Sequence, residues 1–213
     1  MTPNKEKLDD LATKVAAEIL ALTASVNDKL HAELLSATNI PTHAGQHNYV
    51  WLEIAYFGSY LLRQKVTNSM SKQEQNIFDP LLKERFLFYV TNVAFESKGE
   101  GAESLRLMIG STYDARLKEY AEYRGDVSTL FKEELKNAFN SQSQGKIKFV
   151  DKSFKTKLKL KVAFFLAALG GNKEFLEQHG DEIFLPDSVL TSTAATVNKM
   201  FRETELNLGM FSK

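Results

Sequence analysis

The sequence predicts an all-α protein, a single irregular or orthogonal bundle of about six to eight helices forming one domain over residues 1–213. Three observations lead there. Apolar residues recur at steps of three and four along most of the chain. The periodic runs are separated by helix-start and helix-stop residues. A single segment, Lys155 to Val162, alternates in the manner of a strand, and no second such segment is available to pair with it.

The first helix follows from Leu8, Leu11, Val15, Ile19, Leu22, Val26, Leu30 and Leu34, one stripe of an amphipathic helix. Thr2-Pro3 suits its start and Asn39-Ile-Pro41 its end, because a residue before proline is pushed away from helical dihedrals. Unbroken over 4–36 it would be about 48 Å long. That exceeds a compact domain of this size, so it is expected either to reach a second subunit, or to lie along the bundle or break near Thr23-Ala-Ser25.

The second helix is expected from about Asn48 to Asn68. Tyr49, Glu53, Tyr56, Tyr60, Arg63, Gln64 and Thr67 share one side; Trp51, Ile54, Ala55, Gly58, Leu61, Leu62 and Val66 form the opposite, core side. Gly58 at the centre of that side would admit a neighbouring backbone. Ser71-Lys-Gln-Glu74 is a capping box. Asp79-Pro80 is a further start signal at which the chain would kink or restart. Leu81–Phe95 is apolar on nearly every side and reads as a central helix beside the second one.

After a turn at Gly99-Glu-Gly101, a fourth helix is expected over about Glu103–Arg124, with Leu105, Ile109, Tyr113, Leu117, Tyr120 and Tyr123 inward and Arg116 among them. Gly110-Ser-Thr112 reads as a packing point. Gly125-Asp126 ends this helix and caps a fifth, about Val127–Phe139. Asn140–Gly145 is linker-like. Helices at about Lys152–Leu169, Lys173–His179 and from Pro186-Asp187 to about Leu208 complete the chain.

Composition narrows the function classes. Apolar residues make up 43% of 213, including 15 Phe and 7 Tyr, enough for a substantial core. Lysine plus arginine equals aspartate plus glutamate at 27 each, which argues against a surface tuned to a polyanion. The absence of cysteine excludes disulfides, thiolate catalysis and cysteine-based metal sites. Tyr49–Leu62, interrupted by Glu53, and Val162–Gly171 are shorter than the roughly 20 apolar residues of a membrane span. The N-terminal stretch, with Asp9, Asp10 and Glu18, does not resemble a signal peptide. A cytoplasmic protein is expected.

The informative chemistry is ionisable residues inside apolar helices. Glu53, Arg85 and Arg116 sit among tyrosines, and a charge on a buried face is costly unless paired. One reading is a pocket between the second, third and fourth helices, lined by Glu53, Tyr56, Tyr60, Arg63, Arg85, Tyr113, Arg116 and Tyr120, in which arginine holds an anionic small molecule. The other is a structural network in which Glu53 pairs with an arginine and the tyrosines serve leftover donors. The network is the expectation, since buried polar groups are normally partnered by the protein itself.

Other features carry less. His43 and His47, with His31 nearby, are the only candidates for a metal, but Pro41 and Gly45 place the pair in a loop, and neither metal nor cofactor is expected. The run Lys146, Lys148, Lys152, Lys155, Lys157, Lys159 and Lys161 offers a basic patch for nucleic acid or an anionic membrane surface. A solvated helix face is preferred, because the chain as a whole has no basic excess, and nucleic acid is disfavoured. No Gly-x-Ser-x-Gly or complete glycine-rich nucleotide motif is present.

The aromatic helix ending in Leu61-Leu-Arg63, together with Tyr113-Asp-Ala-Arg-Leu-Lys-Glu-Tyr120-Ala-Glu-Tyr123, resembles a group of uncharacterised bacterial all-helical proteins. The resemblance implies a helical fold and brings no activity. The functional expectation is therefore a non-enzymatic protein acting through protein contacts, with a partner or with itself as a homodimer. A sensor or enzyme using the Tyr/Arg pocket, and anion binding through Lys146–Lys161, are the alternatives.

Overall fold

Helix α1 (Lys5–Thr38) carries the first apolar stripe straight through Thr23-Ala-Ser25 without a break. The structure, a computed structural model, describes residues 4–38, 49–95, 100–142, 147–150 and 183–205. Asn4 supplies the start signal for α1, its side-chain oxygen accepting from the Lys7 amide at 3.2 Å. Leu8, Leu11, Val15, Ile19, Val26 and Leu30 are buried against the protein's own core. The long helix thus lies along the bundle through Leu30, against α2 (Tyr49–Thr67) and α3 (Lys72–Tyr89).

Helix α2 is the centre of the molecule. Val50 and every residue from Leu52 to Leu62 are buried, so both sides expected from the sequence face protein. This is possible because α1, α4 (Glu100–Glu122), α5 (Val127–Gln142) and α6 (Asp187–Glu203) all pack on it. The sequence places α3 beside it at the centre, and here the structure differs. Phe78, Leu82, Phe86 and Leu87 are buried, but Phe88 is exposed, since α1 and α4 cover only part of the α3 surface.

The α3 capping box forms as expected. The Glu74 amide donates to Ser71 Oγ at 3.3 Å and the Ser71 amide to Glu74 Oε2 at 2.7 Å. The restart expected at Asp79-Pro80 does not occur, and α3 runs on with Pro80 inside it. Pro80 is exposed, where water can serve the carbonyl that loses its amide partner. At its end α3 widens into a π-helical turn, Val90–Ala94, closed by the Phe95 amide on the Val90 carbonyl at 3.0 Å. Helix α4 begins earlier than expected and takes Gly101 into its first turn. Gly110 is the packing point expected of it, with a Leu87 methyl 3.2 Å from where a Cβ would stand. Asp126 caps α5, its side chain accepting from the Ser128 amide at 3.0 Å.

One strand pairing departs from the sequence reading. β1 (Ile147–Val150) pairs in parallel with β2 (Ile183–Pro186), Ile147 opposite Ile183 and Val150 opposite Pro186. β2 does not alternate and β1 does so only over Ile147-Lys148-Phe149, too short a run to reveal a strand, and their pairing depends on chain more than 30 residues away. Two four-residue strands leave the class all-α, with six α-helices among the described residues. The helices expected at Lys152–Leu169 and Lys173–His179 lie outside those residues.

Helix α6 begins at Asp187 as expected. It buries Leu190, Thr193, Ala194, Val197 and Phe201, a single stripe at helical spacing. Lys65 of α2 donates to the Arg202 carbonyl at 3.0 Å and also to that of Thr204, placing a cation at the carbonyl end of α6. Gly58 explains the close approach of α6 to α2. What presses on it is a side chain, not the backbone that the sequence suggests: a Cβ on Gly58 would lie 2.3 Å from the Phe201 ring. The ring is fully buried and has nowhere to go. Gly58→Ala should therefore destabilise the protein by about 1–3 kcal/mol despite alanine's better helix propensity. Urea unfolding of this variant alone and with Phe201→Leu checks the cause, and the second change should restore part of the loss.

Candidate functional site

The ionisable residues picked out in the sequence divide into three separate clamps. Arg63 of α2 holds Asp79 of α3 in a two-point fork, Nε to Oδ1 at 2.8 Å and Nη2 to Oδ2 at 2.6 Å. Arg85 of α3 holds Asp9 of α1 the same way, at 3.0 and 2.7 Å. Arg116 of α4 holds Glu53 of α2. The expectation that Glu53, Arg85 and Arg116 meet in one place is thus corrected for Arg85. That residue points away from α2 toward α1 and is partly exposed. The reason is in the helical angle: Arg85 precedes Phe86 and Leu87, which take the two inward directions.

The third clamp is the deep one. Arg116 Nε donates to both Glu53 carboxylate oxygens, at 2.9 and 3.1 Å. Its Nη1 donates to Glu119 Oε2 at 2.7 Å, and its Nη2 meets Glu134 of α5. One guanidinium therefore ties three carboxylates and three helices. Glu53 is 6% exposed although it is an acid. Burial pushes its carboxyl up to about 7, with the Arg116 charge and hydrogen bond pulling the other way. Burial also works against the Arg116 charge, but Glu53, Glu119 and Glu134 outweigh it and hold the guanidinium above its ordinary value.

Aromatic rings surround this cluster. Phe57 of α2 stacks on Phe131 of α5, centroids 4.2 Å apart and planes within 6°. Tyr120 packs against Phe57 at 5.2 Å and Tyr60 at 5.4 Å. Tyr56, Phe86 and Tyr113 form a second group joining α2, α3 and α4, with Phe86 and Tyr113 at 4.8 Å and Tyr56 and Tyr113 at 6.3 Å. Burial raises the Tyr56, Tyr113 and Tyr120 hydroxyls well above their ordinary range, so they stay protonated. Tyr56 Oη makes a long bond to the Ile109 carbonyl, 3.5 Å, and Tyr60 Oη accepts from Gln64 at 2.7 Å. The Tyr120 hydroxyl is buried with no hydrogen-bond partner among the described residues.

Sequence reasoning missed the partners. Asp9 sits between Leu8 and Leu11 in the α1 pattern, and Asp79 passes for a helix start. Glu119 is three residues after Arg116, a spacing that signals a helical ion pair. Glu134 is three residues after Phe131 and one before Leu135, a position on the edge of the α5 core stripe. His43, His47, Lys155, Lys157, Lys159 and Lys161 lie outside the described residues. Among the described residues no group of acids and histidines is arranged to hold a metal, and no helix is long and apolar enough to cross a membrane.

Comparison of the chain with protein-family models, with curated proteins and with solved structures gives no match.

Because Arg116 is the cation for a buried acid, its removal exposes Glu53 to the full cost of burial. Arg116→Ala should destabilise by about 3–5 kcal/mol at pH 8. The loss should shrink at pH 5, where Glu53 can take up a proton instead. Arg85→Ala, which breaks a solvated pair, should cost far less at either pH. Urea unfolding of both variants at the two pH values checks the contrast.

Proposed function

We propose that the protein acts through protein contacts rather than by catalysis, and that it contacts a second copy of itself. The observation that carries this reading is a set of large apolar side chains left in water on two adjoining segments. Phe88 (45% exposed) and Val93 (55%) lie at the end of α3 and in its π turn; Leu107 (67%) and Met108 (51%) lie on the first half of α4, which packs on both. Large apolar side chains left in water on neighbouring segments make those segments the candidate interaction surface of this chain.

A second copy is favoured as the occupant by charge. The formal net charge of the chain is +0, so identical copies do not repel as strongly charged ones do. Two-fold pairing of one patch with itself is also the commonest symmetry of assembly. The arginines support the same reading from the other side. Arg63, Arg85 and Arg116 each hold a carboxylate of their own chain, so an anionic small molecule would have to displace one. The stripe of α1 through Leu30 is buried within the chain, so the proposed contact uses the α3–α4 end instead of the long helix.

Sedimentation equilibrium tests this. The wild-type chain should sediment as a dimer, and its melting temperature should rise with concentration. Leu107→Glu and Phe88→Glu should be monomeric with unchanged helical content. A wild-type chain that stays monomeric at about 100 μM, the scale of a weak specific contact, overturns the proposal.

A further inference from the structure

The Glu53 cluster has more acid than base. Three carboxylates share the single guanidinium of Arg116, one of them on α2, one on α4 and one on α5. Glu119 is half exposed and lies on the same helix as Arg116, so water and its own helix absorb its charge. Glu134 is different. Its side chain is 15% exposed, that of Glu53 is 8%, and the two face the same arginine from different helices. When both are ionised, their repulsion acts across the α2–α5 interface, where solvent screening is weak.

We propose that this cluster is a proton-linked latch: with one proton bound on Glu53, α5 is held against α2, and loss of that proton loosens α5. The charged groups acting on Glu53 are Arg116 and Glu119 from α4 and Glu134 from α5. The Tyr56 and Tyr120 phenols feel the Glu53 charge as well. Tyr120 stands one helical turn beyond Arg116 and has its hydroxyl buried and unpartnered among the described residues. The latch loosens α5 rather than freeing it, because the Phe57–Phe131 stack and buried Leu135 and Phe139 hold the helix independently of charge. Helix α5 packs on α6 directly, and β1 after it pairs with the strand preceding α6, so a change in its docking reaches α6.

The direction follows from proton binding. Folded Glu53 keeps its proton up to about pH 7, whereas an ordinary glutamate releases it near 4.5. Between these values the folded chain binds more protons than the unfolded one, so stability is greatest below the window and falls as pH rises through it. From pH 5.5 to 8 the folding equilibrium constant should drop about thirtyfold from this group alone.

The test compares wild type with Glu53→Gln, which mimics the protonated acid. Wild-type melting temperature should fall from pH 5.5 to 8, and amide exchange in α5, corrected for intrinsic rates, should quicken over the same range. Glu53→Gln should lack the part of each change that comes from Glu53, and because every other titrating group is common to both proteins, the latch is read in the difference between the two profiles. Carbon-13 NMR of the wild-type carboxyls should place Glu53 near neutrality, and Glu134→Gln should lower that midpoint by removing the opposing charge. Identical pH profiles for wild type and Glu53→Gln overturn the latch. So does a Glu53 carboxyl that titrates in the ordinary range, a result that decides the matter even if Glu53→Gln fails to fold.

Discussion

A carboxylate on a helix that is buried along nearly its whole length has to find its cation inside the protein. Glu53 finds Arg116, and much of the bundle follows from that requirement. For the guanidinium to reach Glu53, α4 must lie against α2 with Arg116 facing inward. The remaining edges of the guanidinium are then directed at Glu119 and at α5, where Glu134 meets them. The ion pair is weak evidence of net stability, because desolvating both charges offsets much of their attraction. What it imposes is register: a slide or rotation of α4 along α2 would leave the buried Glu53 without its cation.

The other two clamps do a different job. Arg63–Asp79 fastens α2 to α3 and Arg85–Asp9 fastens α3 to α1, each with two parallel hydrogen bonds. Both are partly solvated, so each contributes little energy. Their fork geometry still selects one rotation of each helix about its axis. Stability itself comes from the apolar side chains packed between the clamps, above all the rings of Phe57, Phe86, Phe131, Tyr113 and Tyr120 that connect α3, α4 and α5 with α2. The division is a physical one. Rings supply area without choosing a register, and ion pairs choose a register while adding little to the total.

The two functional proposals use opposite parts of this design. Self-association draws on apolar side chains at the α3–α4 end that the bundle does not cover. The latch draws on polar side chains that the bundle covers too well. The first concerns apolar side chains of α3, its π turn and α4 that are left in water; the second concerns a glutamate that removal from water makes hold its proton near neutral pH.

Local features were legible in the sequence because local physics produces them. The α1 stripe, the Ser71–Glu74 box, the Asp126 cap and the start of α6 at Asp187 each depend on residues within a turn or two. The inward placement of Glu53 and Arg116 was legible for the same reason, since each falls on an apolar face at helical spacing. Tertiary structure decided whom each charge meets. Helical angle turns Arg85 aside from the directions of Phe86 and Leu87, but that it meets Asp9 while Arg116 meets Glu53 depends on which helix covers which face. Tertiary structure also decided that α2 and not α3 is enclosed on all sides, that a phenylalanine ring and not a backbone presses on Gly58, and that two four-residue segments pair as strands. A periodic pattern states which way a side chain points, but its environment is supplied by residues far away in the chain, and only the packed bundle brings them together.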